Sequence, residues 1–205
     1  MAQEALYYLG LDAPLKTRAY KVIDATLGTG GYTLRLCKIG ADVLGIDADE
    51  SMLEIARKRL EDACPAPDKK VGGSFKLIHA NFKDIDDIAE KSGFSPADGM
   101  VFDLGVSNLQ LTGKKRGFSF NQKDAPLDMR LDPGAQETKA SDLLNALRED
   151  QLHEMFEKVL SYKKAKKLSQ EVVEKRKDAP FETVGDFLSI TTRIFERRGK
   201  LHPAT

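Results

Sequence analysis

The stretch "DATLGTGG" (24–31) lies between a β-rich run and a segment of helical periodicity, where glycines let the backbone close on a ligand at a helix N-terminus. Gly28 and Gly30 fit the first two positions of the dinucleotide pattern G-x-G-x-x-G, but Thr33 stands at the third. That break disfavours a nicotinamide or flavin, whose pyrophosphate needs the close approach the third glycine permits. Asp47 ends the next β-rich run, where a carboxylate can accept the two hydroxyls of a ribose. Alone it could equally cap the following helix, a task for which Asp49 also qualifies. Together, turn and acid indicate a nucleoside cofactor, either NAD or S-adenosylmethionine; the latter carries no pyrophosphate and has no need of the third glycine. A third acid, Asp103, tips the apolar run "DGMVFDL" (98–104) and opens a long stretch, 105–137, with little regular pattern.

Those acids need a sheet to hold them, and the pattern from Lys21 onward supplies one. "KVIDAT" (21–26), "DVLGID" (42–47), "FKLIHAN" (75–81) and "DGMVFDL" (98–104) read as strands. Between them "YTLRLCKIG" (32–40) reads as a helix closed by Gly40. "DESMLEIARKRLEDA" (49–63) is a second helix, with Met52, Ile55, Ala56 and Leu60 on one face, and "KDIDDIAEKSG" (83–93) a short third one. Such alternation predicts an α/β fold, a mostly parallel sheet covered by helices. Residues 105–137 are rich in Gly, Lys, Asn, Asp and Pro, the mark of a functional or disordered loop in a compact domain. Beyond them the chain reads as helical without further strands, over "TKASDLLNALRED", "QLHEMFEKVL", "AKKLSQEVVEKRK" and "TVGDFLSITTRIFERR". Four strands are fewer than an open doubly wound sheet usually has, which suggests a fragment of a longer protein.

Composition narrows the class further. The 205 residues are 41% apolar, enough for a sizeable core. No run of eighteen or more apolar residues and no secretory signal pattern is present, so a cytoplasmic protein without membrane association is expected. The two cysteines, Cys37 and Cys64, suit a reducing compartment better than a disulfide framework, and the three scattered histidines give no zinc spacing. The overall charge is balanced, but residues 151–205 hold 12 Lys and Arg against 8 Asp and Glu. That excess, concentrated in "KKAKK" (163–167) and "RIFERRGK" (193–200), reads either as solvated helix faces or as a nucleic-acid contact.

The motifs "DATLGTGGYT", "GIDAD", "DGMVFDLGVSNLQL", "RGFSF", "PLDMRLD" and "HPAT", in this order and spacing, resemble the bacterial 16S rRNA cytosine-N4 methyltransferases over Glu4 to Thr205. The resemblance implies a class I S-adenosylmethionine-dependent methyltransferase (Rossmann-like) sheet with an inserted helical substrate domain. It divides the chain into a cofactor-binding part at 1–104, an active-site loop at 105–137 and a helical RNA-recognition insertion at 138–205, with further C-terminal strands, including a "SFHS" segment, expected beyond. It implies S-adenosylmethionine as cofactor, no metal, and the 16S rRNA of the small ribosomal subunit as partner. Cofactor contacts fall on Gly30, Gly31, Tyr32, Asp47, Phe82, Asp103 and Gln110. Asp103 is the candidate catalytic residue, either accepting hydrogen bonds from the target amine or holding the methionine end of the cofactor.

A base handled inside RNA must be unstacked and gripped by aromatic or guanidinium faces, with phosphates held by cations. The long loop offers Lys114, Lys115, Arg116, Phe118, Phe120 and Arg130, although either phenylalanine could instead anchor the loop and Arg130 could pair with Asp128. The chain departs from the family pattern in four places. Tyr32 stands for a histidine, Leu109 for a proline, "VLSYKK" (159–164) for "YGEER", and an N-terminal H-x-P-V segment is missing. The missing ends and the altered "YGEER" region keep open a non-catalytic RNA-binding remnant, while a nucleotide-dependent oxidoreductase rests only on the α/β pattern and is disfavoured by Thr33.

Overall fold

Val22, Ile23, Val43, Leu44 and Ile46 leave no polar face on the first two strands, as a parallel sheet covered on both sides requires. The computed structural model describes residues 2–11, 20–64, 73–113 and 116–195, and divides into two units, Met1–Gly105 and Val106–Thr205. In the first, α1 (Ala2–Tyr8) precedes β1 (Lys21–Asp24), α2 (Gly31–Lys38), β2 (Asp42–Asp47), α3 (Glu50–Ala63), β3 (Phe75–His79), a 3-10 turn (Phe82–Asp84), α4 (Ile85–Ser92) and β4 (Gly99–Val101). The four strands form one parallel sheet in the order β3-β2-β1-β4. The chain thus winds outward from β1 to β3 and then crosses back to the other side of β1, and ligands bind such sheets at that reversal, beyond the carboxyl ends of the strands.

Both faces of the sheet are covered. Val22 and Val43 pack with Leu6, Leu11, Leu36 and Cys37 on one side, while Ile23, Leu44 and Ile46 pack with Ala89 and Phe94 on the other. Helix α3 buries Met52, Leu53, Ala56 and Leu60, so the expected stripe is corrected at one position: Ile55 is exposed and Leu53 takes its place. Three strands are shorter than expected, and β1 ends at Asp24. β3 ends at His79, and β4 spans three residues because the chain leaves the ladder after Val101, whose carbonyl accepts from Ala25 N–H. The next amide beyond Phe102, that of Asp103, turns instead to the Thr26 hydroxyl at 2.7 Å.

The second unit holds α5 (Asn108–Thr112), α6 (Ala140–Ala146), α7 (Glu149–Glu157), α8 (Tyr162–Asp178) and α9 (Val184–Ile194) around a core that includes Leu152, Leu168, Val172, Phe181 and Ile190. The irregular stretch 105–137 proves to be structured where it is described. Ser107 and Gln110 cap α5 reciprocally, and the backbone of Lys123–Leu127 pairs with that of Glu182–Gly185 through three hydrogen bonds of 2.8–2.9 Å. Gly117 sits at φ 73°, and a Cβ there would lie 2.6 Å from the Pro126 carbonyl oxygen, so the glycine of "RGFSF" lets two backbone segments touch. The single helix expected over 138–150 breaks at Leu147 and Arg148, both extended, where the Arg148 amide donates to the Gln151 side chain and starts α7. Among the described residues no helix is long and apolar enough to cross a membrane.

Candidate active site

The tips of β1, β2 and β4 each deliver a carboxylate, and the glycine turn lies among them. Gly28 and Gly30 adopt positive φ of 52° and 77°, a region that β-carbons disfavour, and Gly30 forms the N-cap of α2. The Gly30 amide closes the turn on the Leu27 carbonyl at 2.9 Å. The amides that open α2, among them those of Gly31 and Tyr32, begin a helix and so lack helical acceptors.

Asp47 fastens this turn to the start of α3. One carboxylate oxygen accepts the Gly28 amide at 2.7 Å and the other the Asp49 amide at 2.9 Å. Burial raises its pKa above the ordinary carboxylate value, partly offset by those amide donors. Each oxygen keeps a further lone pair, enough for two ribose hydroxyls. The capping role considered for this position belongs to Asp49, whose side chain accepts from the Ser51 amide.

Asp103 is exposed just past β4, its amide anchored on Thr26. Its carboxylate lies close to the Tyr32 phenol; partial burial first, and then this negative charge, raise the phenol's pKa above its usual value. The residue that departs from the family's histidine therefore lies beside the candidate catalytic acid. Phe82 follows β3 and meets Phe102 edge to face, with ring centroids 5.8 Å apart. Loops leaving the two edge strands thus present aromatic surface together, and Phe82 and Phe102 are 41% and 47% exposed.

Three further residues escaped the reading of the sequence. Asp24, fully buried at the end of β1, accepts the Thr33 hydroxyl at 2.8 Å, while its other oxygen meets no hydrogen-bond partner among the described residues. Burial pushes its pKa up to about 6. Thr33, at the position where the dinucleotide pattern asks for glycine, is the donor that holds this acid. The signal was present, since an acid and a hydroxyl flank the glycine turn at both ends. Phe102 was hidden inside an apolar run that read as a strand interior.

The remaining candidates belong to the second unit. Gln110 is buried, and its side-chain carbonyl accepts the Ser107 amide at 2.8 Å as part of the α5 cap, with Leu109 exposed beside it. Arg130 forms a bidentate pair with Asp128, at 2.7 and 2.8 Å, and donates to the Gln136 carbonyl. This pair holds the Asp128 carboxyl below its usual range. Arg116 donates to the carbonyls of Arg130 and Leu131 and lies over the Phe118 ring, 5.7 Å from its centroid. Phe120 packs against the apolar core. Arg116, Phe120 and Arg130 thus brace the loop in this structure; Lys114 and Lys115 lie outside the described residues.

A ribosomal RNA small subunit methyltransferase H from Methylacidiphilum infernorum is 40% identical over 183 residues, covering 89% of this chain and 55% of that protein. Proteins of the same name from Dictyoglomus thermophilum and Fusobacterium nucleatum are 36% and 34% identical, covering 100% and 97% of this chain. The chain spans 55–65% of the length of these three relatives. The model of the MraW methylase family matches residues 2–205, and the chain belongs to that family.

Proposed function

We propose that this chain takes part in transferring a methyl group from S-adenosylmethionine to the exocyclic N4 of a cytidine in small-subunit 16S rRNA, acting in the cytoplasm. The observation that carries the reading is the convergence of the glycine turn, Asp47 and Asp103 at one end of a parallel sheet, in a chain of the MraW methylase family.

The residues fit the cofactor chemically. The Gly30–Tyr32 turn offers backbone amides to its carboxylate end, Asp47 offers acceptors to its ribose, and Phe82 offers a ring face or edge to its adenine. Asp24, one of whose buried oxygens meets no partner among the described residues, suits a positively charged ligand beside the turn. When bound, S-adenosylmethionine supplies an electrophilic methyl group on a sulfonium.

The chain's own task is to hold the nucleophile. A cytosine N4 amine is weakly nucleophilic because its lone pair is delocalised into the ring, so fixing its N–H groups and its direction of approach lowers the barrier. Asp103 accepts such N–H donors, from the target amine or from the methionine end of the cofactor, with the Tyr32 phenol beside its carboxylate and Thr26 steadying its backbone. Gln110 supports the same cofactor through α5, and Phe118, with Arg116 over its ring, grips the flipped base. In domain terms, residues 1–104 bind cofactor, 105–137 form the active-site loop and 138–205 recognise RNA.

Two measurements test this reading. Calorimetric titration with S-adenosylmethionine is expected to show at least tenfold weaker binding for Asp47→Ala, a loss of about 1.4 kcal/mol. Transfer of labelled methyl to small-subunit rRNA is expected to vanish in Asp103→Ala. Unimpaired transfer by both variants sinks the site assignment, and RNA binding by a wild-type chain that takes up no cofactor would favour the non-catalytic remnant.

A further inference from the structure

Residues 158–170 contain five lysines and no acid. Most of this stretch forms the first half of α8, the end at which the helix dipole favours anions and disfavours cations. Acids appear on α8 only from Glu171 onward, where Glu174 pairs with Lys177 at 2.6 Å and Glu171 lies 3.8 Å from Arg193. The nearest preceding acid, Glu157, lies 3.5 Å from His153. Among the described residues no ion pair involves Lys163, Lys166 or Lys167. The fourth lysine of the run, Lys164, is 5.5 Å from the centroid of the Phe195 ring and belongs to the packing of the unit.

At about 100° per residue, Lys163, Lys166 and Lys167 fall on one arc of the helix. The buried residues of α8, Ala165, Leu168, Ser169 and Val172, occupy the opposite side. Tyr162 borders the lysine arc one turn before Lys166 and is 57% exposed. Its ring rests against His153, centroid to centroid 4.7 Å, which fixes its attitude while leaving surface uncovered. A rigid helix thus presents three cations repelling one another beside one exposed aromatic ring. Such a face is unfavourable in the free chain and becomes favourable against a polyanion with stackable bases.

We propose that this shoulder of α8 is an RNA-contact surface, with Lys163, Lys166 and Lys167 on phosphates and Tyr162 stacked on an unpaired base. The proposal rests on the rRNA-methyltransferase reading and locates a contact that the family motifs do not supply, since "VLSYKK" occupies the place of "YGEER". The stackable ring favours RNA over a lipid surface, which would ask for a longer apolar stripe than Tyr162 and the exposed Val159 provide.

The test uses the whole chain, saturated with S-adenosylmethionine, and a labelled single-stranded transcript of small-subunit rRNA followed by fluorescence anisotropy at several salt concentrations. For the triple variant K163Q/K166Q/K167Q the affinity at ~0.15 M salt is expected to fall tenfold or more, and the slope of log K against log salt to flatten by about two. Tyr162→Ala is expected to weaken binding without changing the slope, and Tyr162→Phe to bind as the wild type does. An unchanged slope in the triple variant overturns the surface, as does lysine-dependent binding to phosphatidylglycerol vesicles that exceeds binding to RNA. Cofactor calorimetry on the same samples keeps the two readings apart: a wild-type chain that binds no S-adenosylmethionine defeats the functional reading, whereas an altered slope alone concerns only α8.

Discussion

Asp24 shows how far a single residue can carry a physical consequence. Burial raises its folded-state pKa from the ordinary 3.8 to about 6, so between those values the folded chain keeps a proton that the unfolded chain has released. The stability this confers is fully present below about pH 4 and is lost as pH rises through 6, an effect on the order of 3 kcal/mol. Asp24→Asn, which cannot ionise and can still accept from Thr33, is therefore expected to narrow the difference in melting temperature between pH 5 and pH 8; a difference as wide as in the wild type rejects the account. Asp47 and Asp103 were legible because each ends an apolar run with an acid. Asp24 was less so, since its importance lies in complete burial and in the hydroxyl of Thr33, neither of which local pattern reveals. Arg130 illustrates the converse, as its residue type suggested a grip on RNA while its hydrogen bonds lead into its own loop.

Among the elements, α6 and α8 are joined by one side chain. Arg176 of α8 reaches the carbonyls of Leu144 and Leu147 at 2.8 and 2.7 Å, satisfying the C-terminal end of α6 with a positive charge. Arg176→Met keeps the stem and removes the donors, and should destabilise the second unit by about 1.5–3 kcal/mol, read as a lower urea midpoint. Arg176→Lys should recover part of the loss, because a point charge replaces a two-acceptor fork. From β1 onward the strands and helices of the first unit were readable from periodicity to within a few residues, because each is patterned by its own neighbours in sequence, whereas α1 was not read at all. Residues 123–127 were not, since their partners lie at 182–185 and a pairing across that separation leaves no local period. The break at Leu147 was hidden for a related reason: helical propensity runs through it, and the cap that starts α7 depends on a Gln151 side chain three residues ahead.

At the scale of the molecule, each of the two units has its own apolar core, the first around Ile23, Leu44 and Ile46 and the second around Leu152, Val172 and Ile190. Units so built are expected to unfold as separate cooperative steps. S-adenosylmethionine at a hundred times its dissociation constant should then stabilise the first step, that of the unit holding the glycine turn, Asp47 and Asp103, by about 2.7 kcal/mol. Calorimetric melting with and without cofactor decides this, and a single transition that moves as a whole would count against it. The closeness of Tyr32 to Asp103 bears on how such experiments can be watched. The chain has five tyrosines and no tryptophan, so tyrosine emission is not masked, and one of its sources lies beside the candidate catalytic acid. Whatever draws that carboxylate away from the phenol alters the light the protein gives off, which makes the active site its own optical probe.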